Sequence, residues 1–135
     1  MADRSFIPHG GTLECDVKEL FANVSIGASG APTLNTSPGS VGIKSIVRNS
    51  AGKYTITLSD SYQKVLWASA QIMDSTNSDP TTVGCVAKLV SENVSNATPT
   101  VVIQFYDMAT PFTAADPRNG ATVLVKLELR NSTVT

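Results

Sequence analysis

The sequence predicts an all-β protein: an antiparallel β-sandwich or jelly roll of about eight strands with a flexible N-terminal arm. Three observations carry this. Apolar residues alternate with polar ones at a period of two in several segments, as half-buried strands require. Fifteen serines and fifteen threonines stand beside many Val and Ile, while charged residues make up only 16% of the chain. That composition suits pleated surfaces better than helices. Turn-rich stretches of Gly, Pro, Asn and Ser separate the segments, and no long amphipathic helix is legible.

Residues 1–11 lack periodicity and read as the arm, with residues 12–135 as a single sandwich domain. Phe6, Ile7 and Pro8 form an apolar patch on that arm, of the kind that docks on the same domain or on a neighbour. From Thr12 to Ile26, Leu13, Cys15 and Val17 alternate with charged residues, and then the phase flips to Leu20, Ala22, Val24 and Ile26. A bulge near Lys18-Glu19 would exchange the faces; a short amphipathic helix over Val17–Phe21 is the alternative.

Gly27 to Ser40 reads as a loop, either a surface excursion or a crossover between sheets. Val41 to Asp60 reads as a hairpin. Val41, Ile43 and Val47 are expected on one face of its first strand, with Ile46 between Lys44 and Arg48 on the other. Tyr54, Ile56 and Leu58 share a face of its second strand. Asn49-Ser50-Ala51-Gly52 suits a type I turn closed by a left-handed Gly52. Asp60 can cap one helical turn that brings Tyr62 and Leu66 to one side.

Further strands are expected over Leu66–Met73, Val83–Ser91, Thr100–Tyr106 and Ala121–Arg130. The run TVVIQFY from Thr100 is nearly all apolar and therefore central. Trp67, the only tryptophan, reads as a core residue. Met108, Pro111 and Phe112 sit in a long loop, either folding back over the sandwich end or forming a contact patch.

The charge pattern argues against nucleic acid: the net charge is −1 and the basic residues are scattered. Apolar runs are far too short for a helical membrane span. No basic segment leads into an apolar one at the start, so synthesis and folding in a reducing cytoplasm are expected, with Cys15 and Cys85 as buried thiols. A disulfide between them stays open.

Catalytic chemistry finds little support. His9, the only histidine, lies on the arm, and a Ser–His–Asp site needs a rigidly held imidazole. One His and two distant Cys are too few for a zinc site. Carboxylates are dispersed and glycine-rich segments lack the ending of a phosphate-binding loop. No cofactor, no metal and no enzymatic activity are expected.

The pattern G-I-x-S-I-x-R-x-x-x-G-x-Y-T-I-T-L-x-D, Gly42 to Asp60, resembles a segment common in small virion proteins of tailed bacteriophages. The preceding GAPTLNTSPGS and the following Tyr62-Gln63-Lys64-Val65-Leu66 fit the same pattern, so the likeness spans residues 30–66. With its size and lack of chemistry, the chain looks like a capsid cement (decoration) protein. It is similar to the jelly-roll cement protein of a short-tailed phage, which sits as dimers on an icosahedral capsid.

That resemblance implies binding to the major capsid protein on the outer face of the head, and self-association as a homodimer or trimer. The contacts are expected in the arm and in the loops over 27–40 and 107–120, at Phe6, Ile7, Pro8, Leu34, Met108 and Phe112. A receptor- or glycan-binding module of a tail fibre or spike is the competing class. A small hydrolase on the same scaffold is a third.

Overall fold

The computed structural model describes residues 17–37, 39–76, 86–109 and 111–131. The arm, Cys15 and Cys85 lie outside them, as do the expected contacts Phe6, Ile7 and Pro8. Eight strands form among the described residues: β1 Val17–Ile26, β2 Pro32–Leu34, β3 Ile43–Ser50, β4 Lys53–Leu58, β5 Lys64–Met73, β6 Val86–Asn93, β7 Thr100–Tyr106 and β8 Thr122–Arg130. They build two four-stranded antiparallel sheets, ordered β2-β1-β8-β5 and β3-β4-β7-β6. The sheets pack as the sandwich that the alternation predicts.

The core is the row of inward residues that the period-two pattern selects. Leu20, Ala22, Val24 and Ile26 of β1 and Val123, Val125, Leu127 and Leu129 of β8 are buried in one sheet. Tyr54, Ile56 and Leu58 of β4 and Val101, Ile103 and Phe105 of β7 are buried in the other. The rings of Tyr54 and Phe105 meet edge to face, with centroids 5.7 Å apart. Burying such aliphatic and aromatic side chains stabilises the fold by about 1.5–3 kcal/mol each before entropy is counted. As its apolar run predicts, β7 is central.

Several expectations are corrected. β1 pairs with β8 in unbroken register from Val17↔Arg130 to Ser25↔Thr122, so there is neither a bulge at Lys18-Glu19 nor a helix over Val17–Phe21. The segment 27–40 is not all loop: a single 3-10 turn at Ala28–Gly30 leads into β2, which pairs with the end of β1. In β3 a bulge falls between Ile43 and Ser45. It turns both Ile43 and Ile46 towards the core and leaves Val41 and Val47 exposed. No helical turn follows Asp60; Tyr62 is buried and Leu66 is exposed.

Trp67 is 60% exposed rather than in the core. The cause is another bulge, between Val65 and Trp67 of β5. Val65 and Ala68 pack against the core while Leu66 and Trp67 between them stand in solvent.

The four sheet edges are each short or bulged. β2 is only three residues long, and β3, β5 and β6 each carry a register shift. Short or bulged edges resist strand addition from another chain.

Candidate interaction surfaces

One end of the sandwich is closed by a polar clamp centred on Asp116. Arg48 Nε and Nη2 donate to its two carboxylate oxygens at 2.8 and 2.7 Å, a fork-to-fork pair. The Gly52 N–H donates to Oδ1 at 2.7 Å. The Tyr54 hydroxyl lies 3.0 Å from the same oxygen and 2.9 Å from the Gly30 carbonyl, with one proton to offer between them. Three segments thus meet on one carboxylate: the turn at 28–30, the β3–β4 turn and the 107–120 loop.

Two glycines make the meeting possible. Gly52 has φ +67°, and a Cβ there would lie 2.4 Å from the Phe105 carbonyl oxygen and 2.7 Å from that of Ala115. The left-handed Gly52 expected from the turn sequence is therefore present. Gly30 has φ +74°, and a Cβ there would lie 2.4 Å from Asp116 Cγ. Only a residue without a side chain lets the carboxylate come so close.

The electrostatics follow from the contacts. Burial pushes the Asp116 carboxyl up, but Arg48, the Gly52 N–H and Tyr54 outweigh it, and the net shift is downward. Burial, reinforced by Asp116, pushes the Tyr54 phenol well above its ordinary value. A carboxylate with its oxygens occupied by donors is a weak base, and a phenol held protonated is a weak acid. The cluster is suited to tying segments together, not to proton transfer.

The clamp holds a loop whose tip is presented. Behind the tip, Ala114 bridges to Tyr106, the Ala115 N–H donates to the Phe105 carbonyl, and Pro117 is fully buried. Within the tip, Asp107 Oδ1 accepts from the N–H groups of Ala109 and Thr113, and the Asp107 N–H donates to the Thr113 carbonyl. Met108 is 48% and Phe112 64% exposed. Phe112, Val86, Lys88 and Tyr106 line an apolar groove of about 260 Å³ beside β6.

Of the expected contact residues, the structure brings Met108 and Phe112 onto one loop tip. Leu34 is placed elsewhere, on β2 and half-buried against the core beside Val24. The sequence reading missed Val86 and Tyr106 as partners of Phe112. The signal available was their strand parity: they pair directly, Val86↔Tyr106, and so share a face.

Among the described residues no group of three or more His, Cys, Asp or Glu could hold a metal ion, and no helix is long and apolar enough to cross a membrane. Comparison with protein-family models, with curated proteins and with solved structures finds no match.

Proposed function

We propose that this chain is a virion structural protein of the cement class, binding the outer surface of an icosahedral phage capsid and bridging major capsid protein subunits. The resemblance of residues 30–66 to small virion proteins motivates the reading. The observation that carries it furthest is the rigidly anchored loop tip with Phe112 exposed over the groove of Val86 and Tyr106. An aromatic anchor on a pre-ordered loop loses little entropy on binding and suits a repeated, moderately weak contact. Bridging supplies avidity, so no single contact needs to be strong. The low charge limits repulsion between closely spaced copies.

The test is add-back. Heads lacking the chain should release their DNA at a lower temperature than complete heads, and purified chain should restore the difference. Heads indifferent to the chain would contradict the proposal.

The exposure of Trp67 favours a second reading, a glycan-binding module of a tail fibre or spike. Aromatic platforms stack against sugar rings. That reading predicts saturable quenching of Trp67 fluorescence by host-surface glycans and no effect on head stability.

A further inference from the structure

The two outer faces of the sandwich differ. On the β3-β4-β7-β6 sheet the outward rows are Ser45, Thr57 and Thr100, then Val47, Thr55 and Val102: a hydroxyl-rich surface. On the other sheet, successive outward rows run Glu19, Glu128 and Trp67; Phe21, Lys126 and Ser69; and Asn23, Leu124 and Gln71. Phe21, Trp67 and Leu124 are exposed there. A shallow trough of about 300 Å³ lies between Phe21, Leu124, Gln71, Ser69 and Lys126, with Trp67 one row away.

We infer that this trough is the docking site of the chain's own N-terminal segment, which seats Phe6, Ile7 and Pro8 against Phe21 and Leu124 and beside Trp67. Residues 1–16 lie outside the described residues, so the argument for this occupant rests on reach, tethering and chemistry.

Reach comes first. The segment joins the sheet at Val17, in the row Val17, Arg130 and Lys64, only two rows from the trough. Four residues along β1 separate Val17 from Phe21, a distance of about 13 Å at strand rise. Phe6 precedes Val17 by eleven residues in the sequence. An extended chain of that length reaches about 36 Å, enough to reverse direction and still arrive. The path from Val17 into the trough crosses the row that holds Trp67. The groove at Phe112 lies on the opposite sheet, across the thickness of the sandwich.

Tethering makes a weak contact sufficient. A short linker holds its attached segment at an effective concentration in the millimolar range, far above that of a free partner. Chemistry then favours the contact. The segment brings an aromatic ring, a branched aliphatic side chain and a proline to a face that exposes two aromatic rings and a leucine. Pro8 has no N–H to be stripped of water. On the face, Lys126 Nζ already lies 2.8 Å from Glu128 and 3.1 Å from Glu19. Covering the trough therefore strands few polar groups, which is the usual cost of burial. The apolar patch of the N-terminal segment is then occupied within its own chain. The inference does not rest on the capsid reading.

The test uses the full chain and its single tryptophan. In the wild type, Trp67 emission should lie to the blue of a solvated indole, and acrylamide should quench it poorly. Phe6→Ser with Ile7→Ser should shift the emission to the red and raise the quenching constant. Phe6→Leu, which keeps an apolar side chain, should preserve the shielding. Leu124→Ser should reproduce the red shift from the face side, and adding the Phe6 and Ile7 changes to it should bring little more. Val47→Ser, on the outer face of the other sheet, should leave the emission unchanged. Circular dichroism checks that each variant is folded; the Phe6 and Ile7 variants decide the matter should Leu124→Ser fail that check. Trp67 emission that is already that of a solvated indole in the wild type would overturn the inference. So would shielding indifferent to Phe6 and Ile7, or shielding lost on dilution of the wild type, which would assign the cover to a neighbouring copy. None of these outcomes would contradict capsid binding through the Phe112 loop.

Discussion

Arg48 and Asp116, 68 residues apart in sequence, form a two-point ion pair that joins the hairpin at 43–58 to the loop before β8. Asp116 also accepts from the Gly52 N–H, so its removal takes the acceptor from that N–H and from the Arg48 guanidinium, while the Tyr54 hydroxyl keeps the Gly30 carbonyl. Asp116→Ala should destabilise the fold by about 1–3 kcal/mol, the range for such orphaned groups, read as a lower midpoint in urea.

The same carboxylate should leave a mark at acid pH. Its folded-state pKa lies below the ordinary 3.8, so its contribution is complete above that value. The contribution is lost as the pH falls from there through the lower, folded value. The difference in melting temperature between the wild type and Asp116→Asn should be constant near neutrality and shrink below pH 3.8. A difference that stays constant into acid would show that the charge of Asp116 does not matter.

Tyr54 makes the opposite prediction at alkaline pH. Burial and the neighbouring Asp116 raise its pKa above 10.0, so its stabilising effect is complete below pH 10.0 and lost as the pH rises through the folded value. Tyrosinate absorbance should show Tyr54 resisting ionisation until the fold opens. Tyr54→Phe should reduce that late-titrating signal, leaving the share of Tyr62, whose phenol burial also pushes up, and cost about 0.5–1.5 kcal/mol, as expected for one hydrogen bond.

Gly52 should not tolerate a side chain. Its positive φ is one penalty, and the atoms that a Cβ would strike are backbone oxygens of Phe105 and Ala115, which cannot rotate away. Gly52→Ala should cost more than the roughly 1 kcal/mol of the left-handed conformation alone and loosen the 107–120 loop. Hydrogen exchange at the Ala115 amide, which bonds to Phe105, should rise with it.

Phe112 should behave in the opposite sense. At 64% exposure it contributes little to folding, so Phe112→Ala should change stability by no more than about 0.5 kcal/mol. In the proposed role the same change should weaken capsid occupancy, and Met108→Ala should add to it. A loss of folding stability without loss of occupancy would assign Phe112 to the scaffold.

Legibility in the sequence followed the locality of the cause. β4, β7 and β8 were readable because each strand's own alternation or apolar run reports its burial. The bulges at Lys44 and Leu66 were not, because a register shift is a property of two strands and only one is visible at a time. That is why Val47 does not share a face with Ile43, and why Trp67 stands outside the core. β2 was hidden inside a Gly- and Pro-rich stretch, since three residues are too few to show a period. The clamp was illegible because Asp116 and Arg48 come together only through the topology, although Gly30 and Gly52 marked two of the places where the chain comes close. Met108 and Phe112 were legible as loop side chains; the groove with Val86 and Tyr106 depended on the β6–β7 pairing.

The proposed function requires that the chain be a repeated component of a virus head. Quantitative mass spectrometry of purified particles, giving copies of this chain per copy of the major capsid protein, addresses that most directly. A number that tracks the capsid protein is the predicted result. A handful of copies per particle would contradict the account and place the chain with fibres or spikes, and its absence from particles would refute a structural role in the virion.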